Sequence, residues 1–171
     1  MTGLRDRVGR IDRAVGAVER WVLGALVVAM TVTTFLQVVC RYALNSPLVW
    51  SEELARYLFV WISLVGAGAA VRTGGHYGLD LLFLKLPAPL RAKVAGGISA
   101  VVAVFAATLL VVGVQETATA SVQMASSLPV RMHWAYAAIP VGAVLMLWHL
   151  AARWIVRGFT APVSAAALEG H

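Results

Sequence analysis

The sequence predicts an all-α integral membrane protein. It has four transmembrane helices, an N-terminal amphipathic interfacial helix, and a short amphipathic cytoplasmic helix between spans two and three. Three observations carry this. Of 171 residues, 60% are hydrophobic and 13% charged, where a soluble domain averages about 45–50% and about 25%; mean hydropathy is +0.81. The apolar residues gather in four runs of about 20, enough for a helix rising about 1.5 Å per residue to cross about 30 Å of hydrocarbon. The runs are continuous rather than alternating, and a lipid-exposed backbone must satisfy its own hydrogen bonds, which favours helices over a barrel.

Residues 1–20 come first. Leu4, Val8, Ile11, Val15 and Val18 repeat at spacings of four and three, with arginines between them. That describes a basic amphipathic helix on the inner membrane surface. Its apolar continuation is too long for a usual signal-peptide core, and no clear small-residue cleavage site follows. Span one covers about 21–40 without a charge. Span two, about 53–71, is charged only at its front. Leu79, Leu82, Phe83 and Leu86 then fall on one helical face before Pro87 and Pro89 stop it. Span three covers about 94–115 and span four about 133–152, with Pro140 inside it. Residues 158–171 read as a flexible tail, and its closing "LEGH" as either native or a cloning remnant. The whole, 1–171, is one membrane domain without an internal repeat.

Charge sets the orientation. Arg5, Arg7, Arg10, Arg13 and Arg20 precede span one; Arg72, Lys85, Arg91 and Lys93 lie between spans two and three; Arg153 and Arg157 follow span four. Positive charge stays in the cytoplasm, so both termini are expected there and "WSEELAR" opens span two at the outer face. Trp21, Trp50, Trp134 and Trp154 near span ends fit an aromatic belt. Trp61 and Trp148, within spans, are expected to pack against helices or lipid. The net charge of +6 is distributed over helix ends rather than one stripe, which points to membrane lipids and away from nucleic acid. The single cysteine, Cys40, excludes an intrachain disulfide framework.

The polar residues inside the apolar runs are the candidate sites. Glu52 and Arg56 share a helical face four residues apart. Thr34, Gln37 and Arg41 give span one a polar face near the same boundary. Glu52 and Glu53 thus have two candidate cations, Arg41 and Arg56. Structural pairing or partner docking is the favoured role; proton coupling, which calls for a deeper acid, is the competing one. Gly66 with Ala70 forms a small-xxx-small pair on span two, and Gly96, Ala100, Ala103 and Ala107 a small stripe on span three. His133 and His149 stand about 24 Å apart on one helix, and His76 falls in a loop, so neither a haem nor a metal is expected. No phosphate-binding loop, nucleophile elbow or HExxH is present, and no catalytic residue is assigned.

One stretch, "QVVCRYALNSPLVWSEELARYLFVWISLVGAGAAVRTGGHYGLDLLFLKLP", resembles the small, DctQ-type membrane subunit of tripartite ATP-independent periplasmic (TRAP) transporters. The family pattern is Arg-Tyr after span one, then Trp-x-Glu-Glu-x-x-Arg, then Gly and a His before an Asp. It maps to Arg41, Tyr42, Trp50, Glu52, Glu53, Arg56, Gly66, His76 and Asp80. Leu128, Pro129, Trp134, Tyr136, Pro140 and Gly142 resemble its fourth span. The likeness covers roughly residues 15–157. It implies an inner-membrane, multi-pass subunit with both termini cytoplasmic. It also implies two partners, a large membrane subunit and a periplasmic substrate-binding protein. In such a transporter Na+ and substrate are bound by the large, elevator-type subunit, and the small one is a scaffold without a cofactor; the chain would be its unfused form. Uptake of organic acids would be sodium-driven.

Two other classes are compatible with the residues alone. One is a small proton-coupled four-helix exporter, for which Glu52 or Glu53 is the candidate acid. The other is a membrane anchor of a redox complex.

Overall fold

The computed structural model describes residues 2–73 and 87–157. Residues 2–20 and 21–40, read separately above, form one uninterrupted helix, α1 (Thr2–Tyr42). Its 41 residues span about 60 Å at helical rise. No proline occurs before Pro47 to break it. The chain turns at Asn45, which takes a left-handed φ of 51°, a conformation asparagine tolerates. The Ser46 N–H reaches back to the Cys40 carbonyl at 2.9 Å.

Helix α2 (Val49–Thr73) follows. The predicted helix at 79–86, together with His76 and Asp80, lies outside the described residues, as does the tail 158–171. Helix α3 (Ala88–Thr119) starts behind an extended Pro87 and tightens into a 3-10 turn at Ala120–Val122. Residues 123–132 then double back. A bridge joins Met124 to Arg131, and Ala125 N–H donates to Val130 O at 2.9 Å. The last run is two pieces, α4 (His133–Tyr136) and α5 (Ala138–Arg157). Pro140 falls in the first turn of α5, where its missing N–H costs no helical bond. Four stretches, in α1, α2, α3 and α4–α5, are long and apolar enough to cross a membrane.

The four long helices stand in a row, α1–α2–α5–α3, rather than in a closed bundle. Helix α5 packs against α2 on one side and α3 on the other, and it reaches α1 as well. It is also the most buried of the four spans. Its crossing with α2 is close because two glycines face it. A Cβ on Gly142 would sit 2.8 Å from the Leu64 carbonyl oxygen, and one on Gly68 would sit 2.8 Å from Leu145 Cβ. Small residues let helix backbones approach in this way.

Both outer helices turn a seam of alternating three- and four-residue spacing inward. On α3 it runs Gly96, Ser99, Ala103, Ala106, Leu110, Gly113, Thr117, Ala120, all buried or half-buried. The expected stripe is therefore half right: Gly96 and Ala103 belong to the seam, while Ala100 and Ala107 are exposed. Both series alternate steps of three and four; they differ in phase, and the buried edge is the one through Ser99 and Ala106. On α1 the inward seam is Gly9, Asp12, Gly16, Glu19, Leu23, Leu26, Met30, Thr33, Gln37, Cys40. Of the apolar stripe expected in the N-terminal segment, Leu4, Ile11 and Val18 are exposed and Val8 and Val15 half-buried.

Candidate functional site

Two polar centres hold the row together, one near each end of α2. Glu53 and Arg72 mark these ends, about 28 Å apart at helical rise.

The first centre is Glu53, which is 4% exposed. Its Oε1 accepts from the Ser126 N–H at 3.0 Å and from the Tyr57 hydroxyl at 3.0 Å. Its Oε2 accepts from the Ser127 N–H at 2.7 Å and the Ser127 hydroxyl at 2.6 Å. Four neutral donors thus surround one carboxylate, and hydrogen bonds to an ionised acceptor are the stronger kind. They clasp the doubled-back segment 123–132 onto the start of α2. Nearby, the Trp61 indole N–H donates to the Trp134 carbonyl at 2.9 Å and pins α4 to α2. Ser51, fully buried, returns its hydroxyl to Leu48 O at 2.7 Å. It rounds off the start of the same helix.

The second centre joins α1, α2 and α5. His149 is on α5, with a side chain 0% exposed. Its Nδ1 lies 2.6 Å from Asp12 Oδ1 and its Nε2 lies 2.9 Å from Glu19 Oε2. Arg72, in the last turn of α2, donates from Nε to Asp12 Oδ2 at 3.2 Å. The Glu19 carboxylate is 3% exposed as a residue, and its Oε1 has no hydrogen-bond partner among the described residues. One helical turn beyond His149, Arg153 donates to Ser99 of α3 at 2.9 Å. Asp12 and Glu19 are seven apart on the α1 seam, so both face α5 over two turns.

The sequence-predicted residues are distributed unevenly over these centres. Glu53 is bound by serines and a tyrosine rather than by an arginine. Glu52 lies 3.9 Å from Arg56 as an exposed i, i+4 pair. Among the described residues Arg41 joins no ion pair; its guanidinium stands 6.0 Å from the Tyr42 ring centroid. Trp50 is 37% exposed at the start of α2. Gly66 is half-buried beside Leu23 of α1; the close α2–α5 crossing uses Gly68. Thr34, Gln37, Glu52, Ala55, Arg56 and Phe59 line an open groove of about 490 Å³ between α1 and α2. No group of three or more potential metal ligands occurs among the described residues.

Asp12, Glu19, Arg72 and His149 were not singled out as a constellation from sequence. They come from three helices, and the first and last are 137 positions apart. The one local hint was the Asp12/Glu19 spacing within an otherwise basic segment.

Comparison with known proteins adds a family context. Residues 30–160 match the family described as "Tripartite ATP-independent periplasmic transporters, DctQ component". The chain is 31% identical over 134 residues to the sialic acid TRAP transporter permease protein SiaT of Haemophilus influenzae. That match covers 78% of the chain and 22% of SiaT, so the chain spans less than a quarter of that relative. It is 28% identical over 138 residues to the sialic acid TRAP transporter small permease protein SiaQ of Vibrio cholerae, covering 81% of the chain and 80% of SiaQ. With the C4-dicarboxylate TRAP transporter small permease protein DctQ of Vibrio cholerae it shares 34% identity over 82 residues, which is 48% of the chain and 35% of that protein.

Proposed function

The chain belongs to the DctQ component family of tripartite ATP-independent periplasmic transporters, and from that premise we propose that it is the scaffold subunit of a sodium-driven, binding-protein-dependent carrier for organic acids. It is a multi-pass inner-membrane transport subunit, not an enzyme. Its large partner is a membrane permease subunit. Na+ and substrate belong to that partner, and a periplasmic binding protein delivers the substrate. Both termini are cytoplasmic, as the arginine distribution requires. Relatives are named for sialic acid and for C4-dicarboxylates; both are organic acids, and that class is carried over to this chain.

The observation that supports a scaffold is where the polar side chains go. Glu53, Asp12, Glu19, Arg72 and His149 all bind groups of the chain itself. They fix helix positions. Meanwhile α1 exposes Trp21, Val28 and Phe35, and α3 exposes Val101, Val104 and Phe105. In a membrane such faces meet lipid or partner helices. The groove with Glu52 and Arg56 at its edge is the polar site on this surface where the large subunit docks.

Reconstitution tests the reading. The chain alone in liposomes under a sodium gradient should take up no organic acid. With the large subunit and the loaded binding protein, uptake should appear, and omission of this chain should abolish it. Uptake by the lone chain, or undiminished uptake without it, would overturn the scaffold role.

A further inference from the structure

We propose that the cavity between the N-terminal half of α1 and the end of α5 is a site for the phosphate of an acidic phospholipid, held by Arg5, Arg10 and Arg13. The cavity measures about 490 Å³ and is lined by Arg5, Asp6, Gly9, Arg10 and Arg13 of α1 and by Val156 of α5. Arg5, Gly9 and Arg13 follow one another four residues apart, so they share one helical face, and Asp6 and Arg10 adjoin it. Gly9 leaves the middle of that face without a side chain; Arg13 Nη1 lies 3.8 Å from where a Cβ would stand. Three guanidinium-bearing side chains thus border one hollow.

Charge and surroundings both point to this ligand. Among the described residues Arg56, Arg72 and Arg153 bind groups of the chain itself, whereas Arg5, Arg10 and Arg13 join no ion pair or hydrogen bond. Asp6 shares the cavity without pairing with any of them, and three arginines against one aspartate leave the lining at +2. An anion relieves that repulsion, and the guanidinium fork matches the oxygens of a phosphate. The rim is aliphatic: Ile155 and Val156 are 41% and 38% exposed at the end of α5. Such a rim suits a phosphodiester that continues into acyl chains and does nothing for a free anion. Val156 stands two helical turns beyond His149, which the Asp12 contacts place at the same level as Arg72. This is the arginine-rich, inner side of the membrane, where basic pockets between spans take acidic headgroups. The site requires that the chain lie in a membrane and is independent of what the transporter carries.

Native mass spectrometry of the full chain, released from detergent micelles, tests the site. Phosphatidylglycerol and phosphatidylcholine with the same acyl chains are titrated in turn. The chain should retain phosphatidylglycerol at much lower concentration than phosphatidylcholine; equal retention would overturn the proposal. Arg10 and Arg13 are exposed, so Arg10→Gln with Arg13→Gln should leave the fold intact. That pair should weaken phosphatidylglycerol binding by about 30-fold, the effect of two arginine contacts at a membrane surface. Arg7→Gln with Arg20→Gln makes the same change in charge at exposed positions outside the cavity and should change binding little. An equal loss in both pairs would reduce the site to general attraction and overturn it. Inorganic phosphate at the concentration of the lipid should not displace it; displacement would assign the arginines to a soluble anion instead. Finally, the lipid should stay bound when the large membrane subunit is added. Its loss on assembly would give the arginines to the partner protein and overturn the lipid assignment.

Discussion

Glu53 and Glu19 are both buried carboxylates near the ends of their spans, yet they are stabilised in opposite ways. Glu53 is enclosed by four neutral donors from three residues, Tyr57, Ser126 and Ser127. It keeps a net charge, and the donors disperse it. Glu19 shares one imidazole with Asp12 and has an oxygen without a donor. Its other oxygen meets the His149 ring of α5 at 2.9 Å. A carboxylate solvated by peptide dipoles is a permanent fixture, because the dipoles cannot leave while the loop stays folded. A carboxylate held by a side chain of another helix depends on that helix keeping its place. The two ends of the row therefore differ in what can disturb them.

The largest expected effect breaks the charge-balanced end. His149→Phe removes the shared partner of two acids and should lower unfolding stability by about 3–5 kcal/mol. In a thermal scan that is a midpoint about 10 °C lower. Adding Asp12→Asn and Glu19→Gln should recover at least half of the loss; no recovery would mean that the acids and the ring are not one electrostatic unit. Next comes the crossing that connects the ends. Gly142→Ala places a methyl 2.8 Å from Leu64 O, and separating the helices should cost about 1–3 kcal/mol, loosening both centres alike. Hydrogen exchange confined to one centre would count against a rigid α2–α5 pair. Glu53→Gln should act locally: it retains one acceptor oxygen and turns an amide group on the donors. Amide exchange at Ser126 and Ser127 should rise roughly tenfold while exchange around His149 stays unchanged. The smallest effect belongs to the exposed pair. Arg56→Gln should alter the stability of the chain by about 0–0.5 kcal/mol. It should weaken copurification with the large membrane subunit if the groove is the docking site, which pull-down from mild detergent measures.

The two ends were unequally legible. "WSEELAR" places three charges in seven residues at the start of an apolar run, so composition alone marks it. What it does was not legible, because three of the four groups that bind Glu53 are two backbone amides and a serine hydroxyl some seventy positions on. Amides carry no sequence signature. Four spans were legible from hydropathy, since each is set by local composition and length. The fusion of the first span with residues 2–20 was not, because an amphipathic stripe suggests a helix lying in the membrane plane. Of that stripe Leu4, Ile11 and Val18 face outward and Val8 and Val15 are half-buried, while Asp12 and Glu19 turn toward α5. The positive-inside count weighed the arginines there and passed over the three acids between them, Asp6, Asp12 and Glu19. Acids at seven-residue spacing within a basic segment are what a sequence-only reading could have followed. Their partner, the second histidine of span four, gave no hint of its own.

Helix α5 lies inside the row, yet in chain order it comes after the other three described spans. Synthesis therefore leaves α1 and α2 in the membrane with their acids and arginine awaiting His149, and α3 with its small-residue seam awaiting a neighbour. Until residue 149 emerges, the earlier helices have no interior to belong to. Where translation has reached α3 but not α5, the acids of α1 and the small-residue seam of α3 still lack the neighbour that the folded row gives them.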